Sequence, residues 1–238
     1  MKFRRKSDPA DAGADPGVDS TPEVVTGIDA AEWSDVGAAG TGPFDVDDVK
    51  GDGVTRVDLG SLLLMPEAGR ELRLQVDERT QEVAAVVLAG ADGALELRAF
   101  SAPRNGDLWS DVRPQLAADM ARRGGTATER EGRFGTELVC QLSVTTPDGR
   151  AAQQPSRIIG INGPRWMLRA TLLGRPALNP EAASEWEDTL ASVVVRRGEH
   201  AMPVGDPLPV VLPSDARKID TPRAEDLPSP QGPPATRG

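Results

Sequence analysis

The chain has no tyrosine, one cysteine and one histidine in 238 residues, and its aromatic content is 3%. A lone cysteine, Cys140, excludes an intrachain disulfide and fits a reducing compartment. His200 stands sixty positions from Cys140, so the several Cys, His or carboxylate ligands that zinc recruits are missing, and no metal or cofactor is expected. No window approaches the roughly 20 apolar residues needed to span a bilayer. MKFRRK runs straight into DPADAGADPG without the apolar stretch of a secretory signal. The expected location is cytoplasmic. With so few aromatics the core must come from Val, Leu, Ile and Ala, whose branched members suit a sheet better than a bundle.

What is plentiful is glycine (25), proline (21) and acid, for a formal net charge of -10. The charge is uneven. From Asp8 through Asp58 thirteen acids face two bases, whereas Lys2, Arg4, Arg5 and Lys6 add four positive charges and the chain from Leu59 onward carries only -3. A nearly balanced body with an acidic arm gives no strong nucleic-acid signal, since nucleic-acid faces need concentrated positive charge. Residues 1–40 read as a disordered acidic arm with a basic head, in which Ile28, Trp33 and Val36 could form a short docking turn. Residues 41–212 read as a single α+β domain, and 213–238 as a proline-rich disordered tail.

Within 41–212 the period alternates between two and about four. ELRLQVD (71–77) and ALELRAF (94–100) alternate as half-buried strands, and EVAAVVLA (82–89) is an apolar run for a more buried one. VTRVDLGSLLLM (54–65) predicts a strand or two short pieces joined near Gly60. Leu108, Val112, Leu116 and Met120 form a helical stripe, with Pro114 predicting a start near Ser110 or Asp111, or a kink. Two strands follow around Gly135, the second placing Leu138, Cys140, Leu142 and Val144 on one face. PSRIIGIN and RWMLRATLLG predict a hairpin around Asn162-Gly163, although Pro164 speaks against the common two-residue turn. Asn179 as cap and Pro180 as first residue open a second helix with Ala182, Trp186 and Leu190 on its buried face, and Val193–Val195 end it or begin a last strand. The expected fold is a twisted, mainly antiparallel sheet of about seven or eight strands covered by two helices.

Chemistry is sparse. Cys140 alternates with apolar neighbours and reads as core. No serine lies on a nucleophile elbow, the glycines match neither a Walker loop nor a dinucleotide fingerprint, and DVDDVKGDG lacks the ligand order of a calcium loop. The sharpest constellation is GPRWMLRA. There Trp166, Leu168 and Ala170 share one side of a strand, leaving Arg165, Met167 and Arg169 on the other. Arg165 and Arg169 beside Trp166 could clamp a carboxylate or phosphate, with Arg104 and Arg113 enlarging the positive surface. Ion pairs between these arginines and Asp45–Asp58 are the structural alternative.

GPFD (42–45), RVDLGSL (56–62), AFSAPRNGDLWSDVR (99–113), REGRFGTEL around Gly132 and GPRWMLRATLLG (163–174) occur in order, and together they resemble an actinobacterial family of small cytosolic proteins catalogued as a conserved domain of unknown function. The resemblance covers about residues 40 to 200 and supplies no catalytic residue, ligand or cofactor. The expected function is therefore a non-enzymatic protein-binding or accessory role with an unidentified protein partner, homo-oligomerisation being left open. An enzyme or carrier for a small anionic ligand, using an arginine-lined pocket, is the alternative.

Overall fold

A computed structural model describes residues 23–26, 42–77, 79–145, 150–211 and 217–219, the first and last of these segments as backbone only. The elements in chain order are β1 (Glu23–Thr26), β2 (Phe44–Asp45), β3 (Val57–Asp58), β4 (Leu62–Leu64), β5 (Glu71–Val76), β6 (Val83–Ala89), β7 (Gly93–Ser101), α1 (Leu108–Arg122), β8 (Thr126–Gly132), β9 (Gly135–Thr145), β10 (Ala151–Gly163), β11 (Trp166–Gly174), α2 (Arg175–Leu178), α3 (Pro180–Ser192), β12 (Val194–Val195) and β13 (Arg217–Ile219). The main sheet runs β13-β1-β5-β6-β7-β11-β10-β9-β8, antiparallel at every junction. A second sheet, β2-β12-β4-β3, is antiparallel except for the parallel pair β2 and β12. The class is α+β with a mainly antiparallel sheet, as the strand patterning predicts. No described helix is long and apolar enough to cross a membrane.

The main sheet is buried on two faces, which its alternation dictates. Leu95, Leu97, Leu168, Ala170 and Leu172 point to one side, where Trp186 and Leu190 of α3 and Leu62, Leu64 and Val195 of the small sheet complete the larger core. Met167, Leu138 and Cys140 point to the other, where Leu108, Trp109, Val112, Leu116 and Met120 of α1 cover them. The helical stripe in the sequence is thus the α1 contact. On α3 the buried positions are Ala183, Trp186, Thr189, Leu190 and Ala191, with Ala182 only half-buried, because the helix is rotated slightly from a strict four-residue stripe.

Several expectations are corrected. Helix α1 starts at Leu108 rather than near Ser110, capped by Asp107, whose side chain accepts from Ser110 N–H. Pro114 sits inside it on the exposed face, where water can take over the freed carbonyl of Ser110. The β10–β11 turn is not Asn162-Gly163. Those residues pair with Met167 and Trp166, and the chain reverses at Pro164-Arg165, with Arg165 in the left-handed region at φ 63. Proline suits the first turn position, and Gly163 is needed because the Trp166 ring lies over it: a β-carbon there would stand 2.1 Å from that ring. The two short pieces expected around Gly60 are β3 and β4 and the strand expected at Val193–Val195 is β12, but their assembly with β2 into a second sheet, and α2, were not anticipated, since elements of two to four residues carry no period. Beyond the strands expected in the body, the main sheet carries β1, which falls inside 1–40, and β13, which falls inside 213–238. The turn proposed at Ile28, Trp33 and Val36 lies outside the described residues.

Candidate recognition surface

The five residues singled out by sequence go to different places. Trp166 is 1% exposed, inside the larger core, and its indole N–H donates to Asp45 Oδ2 at 2.8 Å. It anchors β11 to β2 and presents no face to a partner. Arg165 lies in the β10–β11 turn. Its carbonyl accepts from Ala102 N–H at 2.9 Å and its guanidinium donates to the Gly198 carbonyl at 3.2 Å. Arg104 is exposed in the turn just past Ala102, so Arg104 and Arg165 occupy the same end of the sheet. Arg113 stands on α1, 5.9 Å from the Trp109 ring, with its Nε donating to Glu129 of β8 at 2.9 Å. Arg169 lies on the α1-side face of β11. These residues do not converge on one pocket.

The acids of 45–58 have other uses. Asp52 takes a bidentate contact from Arg56 at 3.1 and 2.6 Å, Asp58 takes Arg196 at 2.9 and 2.8 Å, and Asp47 pairs with Lys50. Arg56's hydrogen bonds lead the causes that hold the Asp52 carboxyl below its ordinary range.

Register assembles a group that spacing could not show. Arg169 of β11 lies directly opposite Arg98 of β7, and Met167 directly opposite Phe100. Both guanidiniums approach the Phe100 ring, Arg169 at 5.4 Å and Arg98 at 5.8 Å from its centroid. Thr171 and Glu96 form the next row. Met167 is buried, and Arg98, Phe100, Arg169, Thr171 and Glu96 are half-buried, on the face whose β8, β9 and β10 portion is covered by α1. Two like charges in directly opposed positions disfavour strand pairing, while the Phe100 ring in the neighbouring row offsets part of that cost by cation–π attraction to both. A planar carboxylate with an apolar neighbour complements such a platform in charge and shape, the ring adding a stacking surface.

Two other polar groups are accounted for within the fold. At the Arg104 end, Arg197 donates to Ser101 Oγ at 3.0 Å and to the His200 carbonyl at 3.1 Å. Deeper, Glu137 and Arg157, 1% and 4% exposed, join in a bidentate pair at 3.1 and 2.7 Å, extended by Arg130 on Glu137 and by Glu187 of α3 on Arg157. Burial opposes the Arg157 charge, yet the hydrogen bonds it donates to the two glutamates leave its pKa raised. A cleft of about 480 Å³ over Trp186 is lined by Glu67, Asp92, Glu185 and Asp188, with Arg70 stacked 4.0 Å from the indole centroid. Cys140 is buried, and desolvation pushes its thiol up to about 11. Among the described residues no group of three or more His, Cys, Asp or Glu side chains is placed to hold a metal ion.

A two-faced antiparallel sheet, helices on both sides and a cationic-aromatic platform thus define an α+β sheet protein. Over residues 42–219 the chain matches the model of the family described as "Protein of unknown function (DUF3710)", and it belongs to that family. No curated protein matches the chain.

Proposed function

We propose that this is a non-enzymatic cytoplasmic binding protein that recognises an acidic segment of a partner protein through Arg98, Arg169 and Phe100. The observation that carries the reading is the direct opposition of two arginines on neighbouring strands, both near one aromatic ring in the next row. Arg169 is the member of the sequence-derived set that enters this group; Arg98 and Phe100 replace Trp166, Arg165, Arg104 and Arg113 as its companions. A protein segment is favoured over a small anion because the arginine pair lies on a sheet face, whereas the cleft over Trp186 sets four carboxylates against the single cation of Arg70, itself paired with Glu67. The high thiol pKa of Cys140 also runs against a nucleophile, which needs the thiolate.

The test is fluorescence anisotropy of the full chain with a labelled hexapeptide alternating glutamate and phenylalanine, against its glutamine-phenylalanine counterpart. R98A/R169A should weaken binding of the glutamate peptide by roughly tenfold or more while R104A/R165A leaves it unchanged. Equal binding of both peptides, or insensitivity to R98A/R169A, would refute the reading. Displacement of the peptide by inorganic phosphate as effectively as by unlabelled peptide would favour a small-anion carrier instead.

A further inference from the structure

Among the described residues the main sheet ends at β8, and the chemistry of that margin fits a second copy of this chain. We infer that two molecules pair their β8 strands antiparallel about a two-fold axis at Thr128, joining their main sheets into one. Three observations support it.

The first is an open edge. Strand β8 has β9 on one side and, among the described residues, no strand on the other. It runs seven residues in unbroken register without proline, lysine or a bulge, and every residue but the half-buried Ala127 is exposed. Edges of this kind are ordinarily guarded by charge. Here the charged side chains are tied back within the chain. Glu129 accepts from Arg113 of α1 at 2.9 Å, Arg130 donates to Glu137 of β9 at 2.9 Å, and Glu131 accepts from the Thr136 hydroxyl at 2.7 Å.

The second is self-complementary register. Arg133 and Phe134 form a two-residue turn, so Gly132 and Gly135 are its closing, hydrogen-bonded pair. Alternation then turns the backbone N–H and C=O of Thr126, Thr128 and Arg130 toward β9, and those of Ala127, Glu129 and Glu131 outward. Directly opposed residues share a face of the sheet, so a two-fold axis normal to it falls on a residue and not between two. An axis at Glu129, Arg130 or Glu131 sets that residue opposite its own like charge, which disfavours pairing. An axis at Ala127 runs the ladder into Gly124, whose φ of 78 takes it out of extended conformation. At Thr128 the axis sets Thr128 against its own copy, Ala127 against Glu129 of the second copy, and Thr126 against Arg130 of the second copy, with no like charges opposed within the strands. The outward N–H and C=O groups of Ala127 and Glu129 then bond across the axis.

The third is fit. Helix α1 lies over β8, β9 and β10, so the two α1 helices share one face of the joined sheet. Centred over β9, they stand three strand spacings apart, roughly 14 Å, which clears the ~10 Å diameter of a helix with its side chains. Val112, Leu116 and Met120 face the sheet yet stay half-buried, as does Ala127 in the same cluster, so apolar surface at this margin remains for the second copy to cover.

Cross-linking and mass measurement on the full chain test this. Opposed residues at a non-hydrogen-bonded position stand about 4.5 Å apart at Cα, within the range a disulfide bridges. T128C should therefore form a covalent dimer on mild oxidation with diamide, while E131C, offset from its own copy by roughly 20 Å along the strands, should not. The native Cys140 is buried and takes no part. By light scattering, the wild type should rise with concentration toward twice its 25.1 kDa chain mass. A127P deletes an outward N–H and spares the β9 ladder, so it should weaken the dimer at least about tenfold with an unfolding midpoint little changed. Should A127P fail to fold, the two cysteine variants decide alone. A wild type that stays monomeric, together with T128C cross-linking no faster than E131C, would overturn the inference. So would a dimer that a folded A127P leaves intact, or cross-linking of E129C in preference to T128C, since these put the contact or the axis elsewhere.

Discussion

Gly160 lies opposite Arg169 on one side of the platform and beneath Trp109 of α1 on the other, so G160A tests how the helix is seated. A β-carbon at this position would stand 2.0 Å from Trp109 Cδ2 and 2.2 Å from Cε3. The indole cannot simply swing away. It is 4% exposed, its Nε1–H donates to the Thr136 carbonyl at 2.7 Å, and its backbone N–H donates to Asn162 Oδ1 at 3.2 Å. Overpacking of this kind costs about 1–3 kcal/mol, and a lost buried hydrogen bond adds roughly 1 kcal/mol. G160A should therefore lower unfolding stability by about 2–4 kcal/mol. W109L, which removes the obstructing ring together with much of its burial, should cost roughly 3 kcal/mol by itself. Because the clash and the ring are one interaction, G160A/W109L should be close to W109L alone, a coupling of at least about 1 kcal/mol. Urea unfolding followed by far-UV circular dichroism measures all three. Additive losses would refute the proposed contact, as would a G160A protein as stable as the wild type.

In the buried network, E137Q leaves Arg157 with a partly uncompensated charge and should destabilise by about 3–5 kcal/mol, measured by denaturant melts. A loss below 1 kcal/mol would mean that Glu187 and solvent satisfy Arg157. D107A removes the α1 cap and should cost about 1 kcal/mol at pH 7. Hydrogen bonds from the Ser110 hydroxyl and then the Ser110 N–H hold the Asp107 carboxyl below its ordinary range. Its ionised contribution is therefore complete above the unfolded value near 3.9 and is lost as the pH falls through the lower folded value, so the difference between wild type and D107A should narrow toward pH 2–3. A gap that widens on acidification contradicts the assignment. Cys140 should react with a thiol reagent only on the timescale of unfolding, and rapid labelling of the native chain at pH 8 would contradict its burial and raised pKa.

Much of the body was legible because its signals are local and long. Six-to-nine-residue alternation marked β5 and β7, and the stripe from Leu108 to Met120 marked α1. The Asn179-Pro180 pair fixed the start of α3, with Asn179 accepting from Glu181 and Ala182 N–H. What escaped was set by pairing between distant segments. The short pieces around Gly60 and at Val193–Val195 were visible as β3, β4 and β12, but their pairing with one another and with β2 into a second sheet joins segments far apart in the chain. Leu208 stands between two prolines with no period around it, yet its N–H donates to the Ala99 carbonyl at 2.8 Å and it is buried.

The same distinction governs the candidate site. GPRWMLRA singled out Arg169, which register places opposite Arg98, but it joined Trp166 to the arginines on chain proximity, whereas strand alternation turns that ring into the core. Arg98 and Phe100 were visible as an alternating pair in ALELRAF, and only the β7–β11 register brings them to Arg169. Sequence periodicity assigns a side chain to a face; it does not assign that face a neighbour seventy residues away.

Replacing both arginines of the platform by lysine keeps the charge while removing the planar fork, and so isolates recognition from simple attraction. In a titration of the glutamate-phenylalanine hexapeptide, R98K/R169K should bind at least about fivefold more weakly than the wild type with an unfolding midpoint little changed. Undiminished affinity in the lysine protein would contradict the site.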